Sequence, residues 1–347
     1  MDNKHCFNYF AASNSSEGFV NYFPQVFSRE NCSRVYIIKG GPGTGKSRFM
    51  RDVAKEAESR GLAVKYYYCS SDADSLDGII IDKMRVGLLD GTAPHVCEPT
   101  LVGAFEQIIN LGDFWDEQLL AHGTDEIETL VTKKSQAYKR AYMLLAAYGK
   151  LLEAEDSILA PCINKKKLSG AVKRWLHKLP ESAEPTENIG LCRAVGMNGY
   201  TKFDTYEEDA SMLFTVSDSY HASYYFMNEL RARAKCRNMS VAFSCDPIMP
   251  SRIDALCLCD VGITFVVGAD GEHKINIKRF INENELKPHK EKLKKLEASV
   301  KNLELLISES FEEVKKYHFQ LEKIYMTAMD FGKKEQYTEN FIKKLFK

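Results

Sequence analysis

No stretch of this chain approaches the ~18 consecutive apolar residues that a membrane span requires, so a membrane location is not expected. Net charge is also missing: 47 Lys+Arg stand against 48 Asp+Glu. Without an overall electrostatic pull toward polyanions or anionic lipid, nucleic acid is not indicated as a partner, although local patches stay open. The opening MDNKHCFNYFAASNSSEGF lacks the basic start and unbroken apolar core of a signal peptide, and the expected location is cytoplasmic. None of the ten cysteines forms a C-x-x-C pair. A disulfide framework or a zinc site is therefore not the expected use, and Cys257 and Cys259, alternating in ALCLCDVGITFVV, read as reduced thiols of a strand.

What the chain does have is length and apolar content. Its 347 residues are 44% hydrophobic, sufficient for sizeable cores and two ordinary domains. Residues 40 to 47 read GGPGTGKS (Gly40, Gly41, Pro42, Gly43, Thr44, Gly45, Lys46, Ser47), followed by Arg48. The pattern G-x-x-x-x-G-K-[ST] is complete. Its glycines let successive N–H groups turn inward onto phosphate oxygens, and the helix that follows adds its positive N-terminus. Lys46 is expected to reach the β and γ phosphates, and the Ser47 hydroxyl to ligate Mg²⁺. The context agrees, since Arg34 to Lys39 reads as a strand and Ser47 to Arg60 as an amphipathic helix.

A triphosphate site needs a carboxylate near its metal. VGLLD is a buried-strand run that ends in Asp90, at the edge where open α/β sheets hold ligands. Asp90 is the Walker B candidate and second Mg²⁺ ligand, an ordinary strand-ending aspartate being the alternative. Asp72, Asp74, Ser75 and Asp77 follow a strand at Tyr66 to Cys69 and belong to the same sheet edge. One of these carboxylates would orient water or a second substrate, or the segment is a solvated turn with a helix cap. Thr92 and His95 in GTAPH either face the γ-phosphate or shape a turn.

Some familiar classes do not fit. Neither Asn-Lys pair, Asn3-Lys4 or Asn164-Lys165, is followed by the aspartate of an N-K-x-D guanine reader. LSGA at Leu168 to Ala171 lies too far after Asp90 for a transporter ATPase signature. Gly91, not glutamate, follows Asp90. The loop and the LLDG turn look like nucleoside monophosphate kinases, yet T-A-P-H replaces their phosphate-gripping arginine.

Sliding the chain on itself by 227 − 50 = 177 pairs Phe49-Met50 with Phe226-Met227, Ala57 with Ala234, Arg60 with Arg237, Val64 with Val241, Asp77 with Asp254 and Gly91 with Gly268. This register points to a duplicated βαββ unit. The second copy lacks the chemistry: Ser217, Ala222, Ser223, Tyr224 and Val267 stand where Gly40, Gly45, Lys46, Ser47 and Asp90 stand in the first. Arg231, Arg233 and Arg237 on its helix form a solvated face or supply a finger to the first site. Each copy continues into helical arms. Leu293, Val300, Ile307, Val314 and Leu321 recur every seven residues, with Leu296, Leu303, Tyr317 and Ile324 beside them, and Leu130, Ala137, Leu144 and Leu151 repeat the spacing. The short basic helices KKLSGAVKRWLHKL and KKEQYTENFIKKLF are expected to pack back on these long ones.

The expected organisation is an α/β P-loop NTPase of two duplicated units: residues 1–180 with an arm at about 115–180, a linker at 181–205, and a degenerate unit at 206–347 with an arm at about 285–347. With HCFNYFAASNSSEGFVNYF, IIKGGPGTGKS, CSSDADSLDG and LLDGTAPH, the chain resembles an uncharacterised bacterial family of tandem P-loop ATPases. That resemblance implies nucleotide at Gly40 to Ser47 and an acidic site at Asp72 to Asp77 with Asp90, without naming a substrate. The leading expectation is an Mg²⁺-dependent ATPase that moves its arms with nucleotide state. A small-molecule kinase, with Asp72, Asp74 or Asp77 as base, and a non-catalytic ATP-sensing scaffold are the alternatives. The arms would serve a protein partner or self-association.

Overall fold

Alternating short strands and one amphipathic helix build a sheet, long heptad-patterned helices follow it, and the same succession then occurs again. The computed structural model describes residues 7–268 and 271–347; His5 and Cys6 of the opening motif, and Ala269 and Asp270, lie outside the described residues. The first half runs through β1 (Phe7–Phe10), the hairpin β2 (Ala12–Ser15) and β3 (Gly18–Asn21), a single turn α1 (Phe23–Val26), β4 (Arg34–Lys39), α2 (Lys46–Ser59), β5 (Val64–Tyr68), β6 (Leu76–Ile81), β7 (Val86–Asp90), β8 (Glu106–Asn110), α3 (Glu117–His122), α4 (Thr124–Leu159) and α5 (Lys165–Leu176). The second half has β9 (Glu187–Ile189), the hairpin β10 (Arg193–Gly196) and β11 (Gly199–Lys202), α6 (Thr205–Glu208), β12 (Met212–Val216), α7 (Ser223–Cys236), β13 (Val241–Cys245), β14 (Ile253–Leu258), β15 (Ile263–Val267), β16 (His273–Ile275), α8 (Glu283–Leu286), α9 (Lys290–Thr327) and α10 (Phe331–Leu345).

The sheets are ordered β1-β5-β6-β7-β4-β8 and β9-β13-β14-β15-β12-β16. Both are mixed. In each, the third strand (β6 or β14) runs antiparallel to its neighbours, and the other pairs are parallel. Strand and helix starts at 46, 64, 76 and 86 recur at 223, 241, 253 and 263, an offset of 263 − 86 = 177 throughout. The hairpins are offset by 193 − 12 = 181, and the caps of the last helices by 330 − 164 = 166. The smaller offset after the sheet reflects a longer segment behind β7 than behind β15, the segment that carries Thr92 and His95.

The expected linker at 181–205 contains β9, β10 and β11. Its Gly199 has a positive φ, as does Gly18 at the equivalent hairpin turn. The glycines and polar residues read as a loop are those of a tight β-turn.

The first sheet is covered on both faces, which explains why β6 and β7 are buried along their whole length. Phe49, Met50 and Val53 of α2 pack on Ile38, Ile79 and Leu88. Phe23, Val26 and Phe27 pack on Val35, Ile37, Ile80 and Leu89 on the other side.

The halves exchange their appendages. The short helices do not fold back on the long ones as expected: α5 places Leu168, Val172 and Leu176 in the core of the second sheet, while Phe341 and Ile342 of α10 pack on the first. Two pairs of crossings fix this. Asp116 N–H bonds to Ala328 and Asp330 N–H to Phe114, and at the equivalent positions of the other half Asn282 N–H bonds to Cys162 and Asn164 N–H to Phe280. The hairpins cross as well, with Ser16 N–H on Ile248 O and Met197 N–H on Ser71 O. Between them α4 and α9 lie side by side.

On α9 the buried seam is Leu293, Val300, Ile307, Phe311, Val314 and Leu321, as the heptads require. On α4 it departs from expectation. Leu130 and Ala137 are buried, but Leu144 and Leu151 give way to Leu145, Tyr148, Gly149 and Leu152. Here α4 is covered on two flanks, by α9 and by Val195, Met197 and Met249. A second covered flank widens the buried stripe beyond a simple coiled-coil seam.

Candidate functional site

The loop Gly40–Gly45 joins β4, which lies between β7 and the edge strand β8, to α2, and its shape comes from glycine. Gly43 and Gly45 have φ of +72° and +78°, a region that costs other residues ~1–2 kcal/mol. Thr44 is fully buried and its hydroxyl donates to Gly41 O at 2.9 Å. Lys46 Nζ donates to Gly40 O and Gly41 O, both at 2.8 Å, and stands 3.4 Å from Asp90 Oδ2. Ser47 Oγ accepts from Leu76 N–H at 3.0 Å, tying the loop to the start of β6. Arg48 points away, paired with Asp52 on the outer face of α2.

Asp90 ends β7 beside β4, because the two strands pair in parallel with Ile38 opposite it. Its Oδ1 accepts from Thr92 N–H at 2.9 Å and from the Thr92 hydroxyl at 2.6 Å. Gly91 must be glycine, since a Cβ there would lie 2.3 Å from the Ile37 side chain. Lys39 then holds the following segment by donating to Gly91 O, Cys97 O and Glu98.

His95 is buried and stacks on Phe23 with ring centroids 4.9 Å apart. Its Nδ1 lies 2.9 Å from Asp90 O and its Nε2 3.2 Å from Asp77 Oδ2. Burial alone would lower its pKa, but the charge and hydrogen bond of Asp77, with Asp90 nearby, hold it up at about 9. The imidazolium is therefore a fixed strut between β6 and the end of β7, a turn-shaping role, on the lining of the cavity.

The acidic cluster divides. Asp77 lies within β6 and is buried. Asp72 lines the cavity and its pKa is raised by burial. Asp74 is exposed, outside the cavity, accepting from Asn198. No helix follows this turn; it joins β5 to β6, so the helix-cap reading does not apply.

A cavity of about 740 Å³ opens over the loop, within the usual range for small-molecule sites. Its floor is Gly40–Ser47 with Asp72, Asp77, Asp90, Thr92 and His95. Its roof comes from the arms, and nothing in their heptad pattern signalled it. Lys134, Tyr138 and Tyr142 of α4 and His318 and Glu322 of α9 close the space. The approach is tight, because a Cβ on Gly43 would stand 2.6 Å from Glu322 O.

For Mg²⁺ the residues present are a hydroxyl, Ser47, and a carboxylate, Asp90, both facing the cavity. Among the described residues no group of three or more His, Cys, Asp or Glu forms a metal cage. One or two protein oxygens, with phosphates and water completing the shell, is how Mg²⁺ is ordinarily held, so this donor set fits that ion.

The equivalent cavity of the second half has about 660 Å³. There Asp218 Oδ1 accepts from Ser223 N–H at 3.0 Å, putting a carboxylate of the chain itself at the N-terminus of α7. His221 pairs with Glu155 at 2.7 Å, and Tyr224 and Tyr225 donate to Asp156, latching this loop to α4. The three arginines of α7 are engaged locally: Arg231 with Glu187, Arg233 with Glu229 and Ser169, Arg237 with the carbonyls of Leu176 and Leu179. None reaches the first site.

Residues 21–82 match the family model described as nephrocystin 3, N-terminal. The match runs from the end of β3 through β6, including the whole phosphate-type loop, and goes no further. No curated protein and no solved structure matches the chain. Among the described residues no helix is long and apolar enough to cross a membrane.

Proposed function

We propose that the first half binds Mg²⁺-ATP at Gly40–Ser47 and hydrolyses it, with nucleotide state shifting the arms. One observation carries this reading: Lys46 faces Asp90 at 3.4 Å on the floor of a cavity roofed by α4 and α9. The loop, the strand-ending carboxylate and Ser47 have the residue types for phosphate and metal, and the roof gives a bound γ-phosphate something to move. The common strand order and the piecewise constant offsets favour a tandem duplication of a P-loop unit, as in the bacterial ATPases the sequence resembles. The second half kept the scaffold and lost the phosphate loop. Its arm contact is a fixed latch, whereas the carboxylate of Glu322, the counterpart of Asp156 (322 − 156 = 166), makes no such bond among the described residues on the P-loop side. On the P-loop side the arm is thus held by packing on the loop and by backbone hydrogen bonds, without the side-chain latch of the other half.

Mg²⁺-ATP turnover by wild type beside Lys46→Ala, following ADP and free phosphate together, tests the reading. Both products should rise together and the variant should be silent; ATP binding retained by Lys46→Ala would sink it. Asp72 supports a second reading. Its raised pKa suits a base that accepts an acceptor's hydroxyl proton, and ADP formation without free phosphate in the presence of one metabolite would select a kinase.

A further inference from the structure

The seams of α4 and α9 differ at the positions that face the two cavities. On α9 the seam is Leu293, Val300, Ile307, Val314 and Leu321, all buried. The equivalent positions of α4, at the offset that relates the helix caps, are Ile127, Lys134, Ala141, Tyr148 and Glu155. Glu155 is buried and satisfied by His221. Lys134, the counterpart of Val300, lies half-buried on the wall of the P-loop cavity. Across from it His318 of α9 takes the place that α4 fills with Leu152 (318 − 152 = 166), a residue in the apolar core of the arms. The half with the phosphate-type loop thus has two basic residues where the other has aliphatic ones.

Among the described residues neither base has a counter-anion. Among the described residues no carboxylate pairs with Lys134, and its pKa is lowered by burial and by the charge of Lys46. His318 is pushed down to about 4 by burial, Lys134 and Lys46. The acids on the same walls do not relieve this: Asp90 and Asp77 are held by Lys46, Thr92 and His95, and burial raises Asp72 and Glu322 toward the neutral form. A lysine displaced from an apolar seam into the cavity that also holds the loop lysine, with no carboxylate paired to it among the described residues, is arranged for an anion that the ligand supplies.

We infer that Lys134 reaches from α4 to the terminal phosphate of the bound triphosphate and makes nucleotide state felt by the arm. This rests on the nucleotide-binding reading and adds to it the residue that distinguishes a triphosphate from a diphosphate. Lys46 grips the loop side of the phosphates in either state; Lys134 engages only the phosphate nearest the roof. His318, uncharged at neutral pH, lines the same cavity from the second half's arm.

Affinities for Mg²⁺-ATP and Mg²⁺-ADP, measured calorimetrically for wild type, Lys134→Met, Lys134→Arg and Lys46→Ala, test it. Methionine fills the seam as Val300 does, so the fold should survive. A charged hydrogen bond is worth enough to cost Lys134→Met about tenfold or more in ATP affinity, with ADP unchanged and Lys134→Arg restoring most of the loss. Equal losses for the two nucleotides, or no loss for either, overturn the assignment of Lys134 while leaving the site intact. If wild type binds neither nucleotide, the site reading fails and this inference with it.

Discussion

A buried histidine held charged between two aspartates makes the stability of this protein depend on pH in a particular direction. The His95 pKa rises from 6.5 to about 9 on folding, so the folded chain binds a proton that the unfolded chain has given up across that interval. Its stabilisation is complete below about pH 6.5 and is lost as pH rises through about 9. Two and a half pH units at 1.36 kcal/mol each give an upper figure of about 3 kcal/mol. In urea titrations the difference between wild type and His95→Gln should shrink by an amount of that order between pH 6 and pH 9.5. A difference that stays flat would show that His95 is neutral in the fold. Asp77 was legible in the sequence as part of an acidic run, but its role was not. The run looked continuous, whereas β6 begins inside it and turns Asp77 inward.

At the scale of elements, the docking of α9 on the loop can be separated from the loop's own strain. Gly43 and Gly45 have nearly the same φ, but only Gly43 has a backbone atom in the way; the nearest atom to a Cβ on Gly45 is 3.5 Å off. Gly45→Ala should cost about 1 kcal/mol from its backbone alone. Gly43→Ala should cost about 1–2 kcal/mol more, because the Glu322 backbone must shift, with faster amide exchange over 318–326. Equal costs and unchanged exchange would mean that the arm does not bear on the loop. Much at this scale was readable from sequence: β4 and β7 lie where the apolar runs VYII and VGLL put them, and α2 begins at the loop lysine. The seam of α9 follows its heptads. What escaped was anything decided by distant partners, namely the drift of the α4 seam, the hairpin inside the expected linker, and the destination of α5 and α10. An amphipathic helix announces that it has a buried face but not which surface buries it.

At the scale of the whole molecule, exchanged appendages predict that neither half is an independent domain. The connection around Ala183 and Glu184 is exposed, so a cut there should leave the fold intact. Fragments 1–183 and 184–347, expressed together with a tag on one, should co-purify in equal amounts with native helicity, and each alone should aggregate. Two fragments that fold separately and elute apart would contradict the exchange.

The arms pass both cavities: α4 lines the first with Lys134 and Tyr138 and the second with Tyr148 and Leu152, while α9 lines the second with Glu304 and Phe311 and the first with His318 and Glu322. Two stiff rods held against each other cannot slide at one end and stay at rest at the other. If the proposed nucleotide binding moves the arms, a change of occupancy at the loop would be resisted by the latch of Glu155 and Asp156 at the opposite end of the pair. By reciprocity, if occupancy at the loop strains that latch, loosening the latch would raise affinity at the loop by the coupling free energy the two share. The half without a phosphate loop would then be the spring of the device, and its compliance would set how far the other half can travel.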